Sequence, residues 1–166
     1  MPYLAVQKLT EGGNPIGVRN YWTADFYDEL PDEAIETLAD WAARRPSPIG
    51  SFVMAPGGGA LLRVPDDATA FGQRKPKWNI HYLSMWFDPA DDARNIAFTK
   101  DVAGAMKPWA TGRVYLNYIG DEGQGRIDSS FGAATMARLR AVKAKFDADN
   151  LFSHNQNIRP APIAAE

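Results

Sequence analysis

Apolar and polar residues alternate most cleanly between Trp78 and Phe87. Trp78, Ile80, Tyr82, Ser84 and Trp86 fall on one side, and Asn79, His81, Leu83, Met85 and Phe87 on the other. A period of two is that of a strand, and apolar residues on both sides predict one covered in part on both faces. Shorter apolar runs at Tyr3–Leu9, Ser51–Ala55, Ala60–Val64 and Arg113–Ile119 predict further strands. The first ends at the breaker cluster Glu11-Gly12-Gly13-Asn14-Pro15, and the next two flank Pro56-Gly57-Gly58-Gly59, which predicts a hairpin turn. The glycines do not make a phosphate loop, because the lysine and hydroxyl are absent and strand-type residues follow instead of a helix.

Helical spacing recurs three times. Ile35, Leu38, Ala39 and Ala42 follow Pro31-Asp32-Glu33, a start suited to a first turn, and Pro46 lies just beyond them. Asp88-Pro89-Ala90-Asp91-Asp92 is a strong helix start, with Asp88 as cap and Ala93, Ile96, Ala97, Ala103 and Met106 as the expected buried stripe. Met136, Leu139, Val142 and Phe146 mark an amphipathic helix over Ala133–Phe146, preceded by a polar loop from Gly120 to Asp128 and followed by an extended tail. Strands and helices do not alternate regularly. The predicted fold is therefore α+β, an antiparallel sheet with helices packed on one face.

Composition narrows the function classes. At 166 residues, with 45% apolar and 23% charged positions, the chain suits one globular domain. It has no cysteine, and its two histidines, His81 and His154, are far apart, so neither a thiolate site nor a metal site is expected. Net charge is −2, and the one basic cluster, Arg138, Arg140, Lys143 and Lys145, lies at helical spacing, so no nucleic-acid partner is expected. No apolar run is long enough to span a bilayer and no signal-peptide pattern is visible, so a cytoplasmic protein without a membrane partner is expected. The many Trp, Tyr and Phe residues suit either a packed sheet or an aromatic-lined pocket.

Two stretches go further. Val114-Tyr115-Leu116-Asn117-Tyr118 followed by Asp121-Glu122-Gly123 resembles the tyrosine-x-asparagine-tyrosine strand of berberine bridge enzyme-like oxidases. Phe131-Gly132, Arg138-Leu139, Val142 to Asp147, Asn150-Leu151-Phe152 and Asn155-Gln156-Asn157-Ile158 resemble that family's C-terminal segment in order and spacing. Gly58-Gly59-Ala60, Thr69-Ala70-Phe71 with Arg74, and Trp86 with Asp88-Pro89 are similar to its bacterial members. The resemblance implies a substrate-side α+β domain over residues 1–128 and a berberine-like C-terminal segment over 129–166, whose last helix and tail would return to a flavin domain. It also implies FAD as cofactor, held mainly by an N-terminal domain that this sequence lacks and that would act in cis or in trans. Met1 enters the pattern midway, so a truncated gene product or a start placed too late is expected.

The resemblance assigns roles residue by residue. Tyr118 maps onto the general base that takes a proton from a small-molecule substrate as hydride leaves for the flavin. A free phenol has a pKa near 10, so Tyr118 would need a cationic or hydrogen-bonding neighbour. Tyr115, Asn117, His154 and Asn155 map onto flavin-contacting positions. Gln73 and Arg74 occupy a stretch that can face substrate in the family. Trp78, His81 and Tyr82 are further candidates for the pocket lining, and core packing explains them equally well. If residues 113–119 are a strand, Tyr115 and Asn117 share one face while Tyr118 points to the other, and both faces cannot meet one flavin. The functions in competition are the substrate-side half of an FAD-dependent oxidoreductase acting on an alcohol, sugar, amine or phenol, a non-catalytic binding module, and an inactive remnant. An apolar face made for a flavin domain would lie exposed in the isolated chain, which predicts homodimerisation or aggregation.

Overall fold

The computed structural model describes residues 1–9, 11–13 and 15–162. Three strands, β1 (Arg19–Tyr27), β2 (Ser51–Pro56) and β3 (Trp78–Trp86), form an antiparallel sheet in the order β1-β3-β2. The strand with the cleanest alternation, β3, is the central one. It pairs along its whole length with β1, from Arg19 opposite Trp86 to Tyr27 opposite Trp78. Five helices accompany the sheet: α1 (Tyr3–Gln7), α2 (Asp32–Ala43), α3 (Asp92–Met106), α4 (Gln124–Phe131) and α5 (Ala133–Phe146). The fold is α+β, with α2 and α3 on one face of the sheet.

Alternation along the strands decides what each face meets. Tyr27, Ile80 and Tyr82 point toward the helices and pack with Ala34, Leu38, Val102 and Met106 in the core. Tyr27 and Tyr82 join their hydroxyls at 2.5 Å, so two buried phenols satisfy each other. Burial raises the pKa of both. Asp88 accepts the amide of Ala90 at 2.9 Å and caps the single turn that leads into α3. The buried stripe of α3 is Asn95, Thr99, Val102 and Met106, whereas the expected Ala93 and Ala97 are exposed. Local bonding makes that polar stripe possible: Asn95 Nδ2 donates to Asp91 O, and Thr99 Oγ1 donates to Ser84 Oγ on β3 at 2.6 Å.

Several expectations change. Tyr3–Leu9 is no strand: residues Tyr3–Gln7 form a short exposed helix, since an apolar run without a neighbouring strand has no ladder to join. Asn14 of the breaker cluster that follows it lies outside the described residues. Ala60–Val64 does not pair with β2, because Gly59–Arg63 is a 3₁₀ turn and β2 pairs with β3 instead of closing a hairpin. Gly57 passes so close to the chain that a Cβ there would lie 2.3 Å from the Pro76 carbonyl. The run Arg19–Tyr27 is β1, and the expected loop from Gly120 to Asp128 contains most of α4. In α5, Met136 is buried, but Val142 and Phe146 are exposed.

Candidate active site

The face of the sheet opposite α2 and α3 carries Trp22, Ala24 and Phe26 from β1, across from Leu83, His81 and Asn79 of β3. Residues 111–113 run along the outer edge of β1: Thr111 N donates to Phe26 O at 2.8 Å, and Phe26 N donates to Arg113 O at 3.2 Å. The expected strand Arg113–Ile119 stops there. Leu116–Tyr118 is a 3₁₀ turn, closed by Tyr118 N donating to Tyr115 O at 2.8 Å. In such a turn positions i and i+3 come onto one side. The conflict posed by a strand therefore disappears, and Tyr115 and Tyr118 meet edge to face at 4.9 Å between ring centres.

These tyrosines belong to a chain of rings. Tyr118 lies flat on His81, with centres 4.5 Å apart and planes 4° apart, and Trp22 also meets His81, edge to face at 6.1 Å. Phe71 packs edge-on against Tyr115 at 5.7 Å. Asn117 Nδ2 donates to Tyr115 Oη at 2.7 Å and fixes that phenol. A cleft of about 340 Å³ opens beside the pair, walled by Phe71, Trp78, Tyr115, Tyr118, Gln73 and Asn79. Burial lowers the pKa of His81, so the ring under Tyr118 favours its neutral form.

The other candidate residues are placed as follows. Gln73 lines the cleft, with Nε2 donating to Ser130 O at 2.9 Å, which ties its loop to α4. Arg74 is buried rather than exposed. It stands behind Phe71, 5.4 Å from that ring's centre, and donates to Thr69 Oγ1 at 2.8 Å, so it serves the wall without lining the cleft. Tyr82 must be removed from the pocket set: strand alternation turns it to the helix face, fully buried against Tyr27. His154 and Asn155 stand exposed on the tail and do not line the cleft. Their neighbour Gln156 holds the tail beside the tyrosine turn, donating to Ile119 O at 2.9 Å. Phe152 is 78% exposed, and the start of the tail is held by Asp147, which accepts the amides of Leu151 and Phe152.

Sequence reasoning gave no role to Trp22 or Asn79. The alternation of β3 already set Asn79 beside His81 and opposite Tyr82, whereas Trp22 had no signal until β1 was known to be a strand. A larger hollow of about 490 Å³ lies elsewhere, among Tyr21, Asp25, Lys100, Lys107, Glu122 and Arg126. Each nitrogen of Arg126 is already bonded there, to Glu122, to Asp25 and to the Ala24 carbonyl. The cleft beside Tyr118 is the better candidate because its polar groups are not so occupied.

The comparisons with known proteins bear on that cleft. Residues 114–159, which span the tyrosine turn, α4, α5 and the tail, match the family described as "Berberine and berberine like". The chain belongs to the berberine bridge enzyme-like family. It is 31% identical over 140 residues to the uncharacterized FAD-linked oxidoreductase YvdP of Bacillus subtilis, covering 84% of this chain and 30% of that protein. It is 28% identical to the monolignol oxidoreductase AtBBE-like 13 of Arabidopsis thaliana, covering 84% of this chain and 29% of that one. Its fold matches wild-type Phl p 4.0202, a glucose dehydrogenase, with a TM-score of 0.79 at 23% identity, over 87% of this chain and 33% of that one. The chain thus spans about a third of the length of each of these three proteins.

Membership implies an FAD cofactor, and the cleft can be tested for its fit. Tyr115, Tyr118, Phe71 and Trp78 offer flat apolar walls. Gln73 Oε1 and Asn79 Oδ1 are buried polar atoms of the lining without a partner among the described residues. A planar ring bearing nitrogen and oxygen suits such walls. Among the described residues that line the cleft there is no Lys or Arg to meet a pyrophosphate. The residues fit the ring end of FAD and not its phosphate end.

Proposed function

We propose that this chain is the substrate side of an FAD-linked oxidoreductase, with Tyr118 as the group that takes the proton from a substrate hydroxyl, amine or phenol. The single observation that carries the reading is the cleft itself: the family's two tyrosines, Tyr115 and Tyr118, come onto one side and wall an open cavity. FAD, when bound, supplies the acceptor for the hydride. Tyr115 and Asn117, joined by a hydrogen bond, would present a fixed edge to the ring, and the phenol oxygen of Tyr118 would hold and pass the proton. Phe71 and Trp78 keep water from the reacting carbon. Gln73 offers a carboxamide to a polar substituent. His154 and Asn155 would reach the flavin from the tail that Gln156 moors to Ile119.

Because the cleft lacks a phosphate-binding set, a second stretch of polypeptide must grip the cofactor, in cis or in trans. The test is flavin absorbance. The chain mixed with FAD alone is expected to leave the free-flavin spectrum nearly unchanged, and addition of the flavin-binding region of a relative is expected to shift it and raise the melting temperature. A chain that binds FAD tightly by itself, or one that never does so with the partner region, contradicts the proposal. The first outcome would place the phosphate site in this chain, and the second would favour a binding module without chemistry.

A further inference from the structure

We infer that His81 is a positioning residue for Tyr118: its imidazole, packed flat on the phenol ring and edged by Trp22, holds the Tyr118 hydroxyl at the cleft. The inference rests on Tyr118 being the base, and it asks what fixes that base in place. The turn that carries Tyr118 is a single 3₁₀ turn, closed by one amide hydrogen bond and set between buried Val114 and Ile119, so the backbone fixes where the ring starts and not the side-chain torsions that aim its hydroxyl. His81 is anchored far better. It sits mid-way along the central strand, with Ala24 paired on one side and Val53 on the other. A ring held on both sides by the sheet ladder lies parallel to a ring carried on a turn, and the strand-borne partner sets the orientation.

The choice of residue is informative. Nε2 of His81 is buried without a hydrogen-bond partner, a cost that phenylalanine at the same position would not carry. What histidine adds is the capacity to take up a proton directly beneath the phenol. From β1 the residues around it are Trp22 and Ala24, from β2 Val53, and from the turn Tyr118, which Tyr115 meets in turn. The Tyr118 phenol is the titratable group in direct contact, so charge arriving on His81 is felt first by the π face of Tyr118. Burial lowers the imidazole pKa, which keeps the contact neutral at ordinary pH.

The test uses NMR of the 166-residue chain and does not need flavin. The Tyr118 ring protons are expected to show a ring-current shift that His81→Ala removes and His81→Phe preserves. On acidification, the Tyr118 signals of the unaltered chain are expected to move with a midpoint below 6.5, and to stay still in His81→Phe. Tyr118 signals identical in His81→Ala and the parent, or indifferent to the titration of His81, would overturn the inference. A kinetic arm in flavin-loaded protein carrying this chain completes it. His81→Ala is expected to lower kcat on the order of ten-fold with KM little changed, and His81→Phe to restore most of the loss. An unchanged kcat in His81→Ala also overturns it. Tyr118→Phe tests the base separately: if that variant reduces flavin normally, the base assignment fails while the NMR result stands.

Discussion

At the scale of single residues, the site depends on which side each side chain takes. Tyr82 and His81 are adjacent in sequence yet belong to different parts of the protein, one in the core and one under Tyr118. The sequence alternation of β3 separates them, and of the two roles open for Tyr82, pocket lining and core packing, the structure has the second. His81 predicts a pH dependence with a definite sign. Its folded pKa lies below 6.5, so the unfolded chain binds the proton first, and stability falls as pH drops from 6.5 toward the folded value. Urea midpoints measured across that interval should slope less in His81→Phe than in the parent; equal slopes would show the imidazole is not buried. Asp25 illustrates the reverse balance, because burial raises its pKa more than Arg126 lowers it. Arg126→Met would leave Asp25, Glu122 and the Ala24 carbonyl without their donor. The expected cost is about 2 kcal/mol by urea unfolding, below the roughly 3–5 kcal/mol of a fully buried pair, since Arg126 keeps some contact with water. Adding Asp25→Asn should recover part of it.

Elements were legible in the sequence where one period ran long and the ends were marked. The helix after Asp88 and the strand from Trp78 satisfied both conditions, and the structure has α3 and β3 there. Short apolar runs lack them: Tyr3–Leu9, Ala60–Val64 and Arg113–Ile119 carry a strand pattern and form no strand, while Arg19–Tyr27 carries no clear pattern and forms β1. Whether five apolar residues pair depends on a neighbour supplied by distant sequence, and no local pattern carries that information. The tyrosine turn is the instructive case: the motif named the residues, but only the 3₁₀ geometry explains how Tyr115 and Tyr118 share a side. The junction of α3 and the sheet offers a test of the polar stripe. Thr99→Val should cost roughly 1–3 kcal/mol, because Ser84 Oγ is left buried without its partner. Thr99→Val combined with Ser84→Ala should be closer to the parent, and equal stability of all three would mean the hydroxyl pair is irrelevant.

Over the whole molecule, the aromatic cleft and the exposed apolar residues together suit a protein that works against another surface. Val142, Phe146, Leu151 and Phe152 lie exposed at the end of α5 and the start of the tail, 54% to 78% accessible. Single exposed residues are ordinary, but four close in sequence predict association. Sedimentation of the chain should show concentration-dependent self-association that Phe146→Ser with Phe152→Ser weakens, and strictly monomeric behaviour of the parent would contradict this. The same residues should be covered when a flavin-binding region is supplied.

The most direct measurement is the rate of flavin reduction without oxygen, in flavin-loaded protein carrying this chain, with and without Tyr118→Phe. The account predicts an unaltered flavin spectrum and a reduction rate lowered by about 10²–10⁴-fold, the usual contribution of a positioned proton acceptor. Reduction at the parent rate in Tyr118→Phe would contradict it.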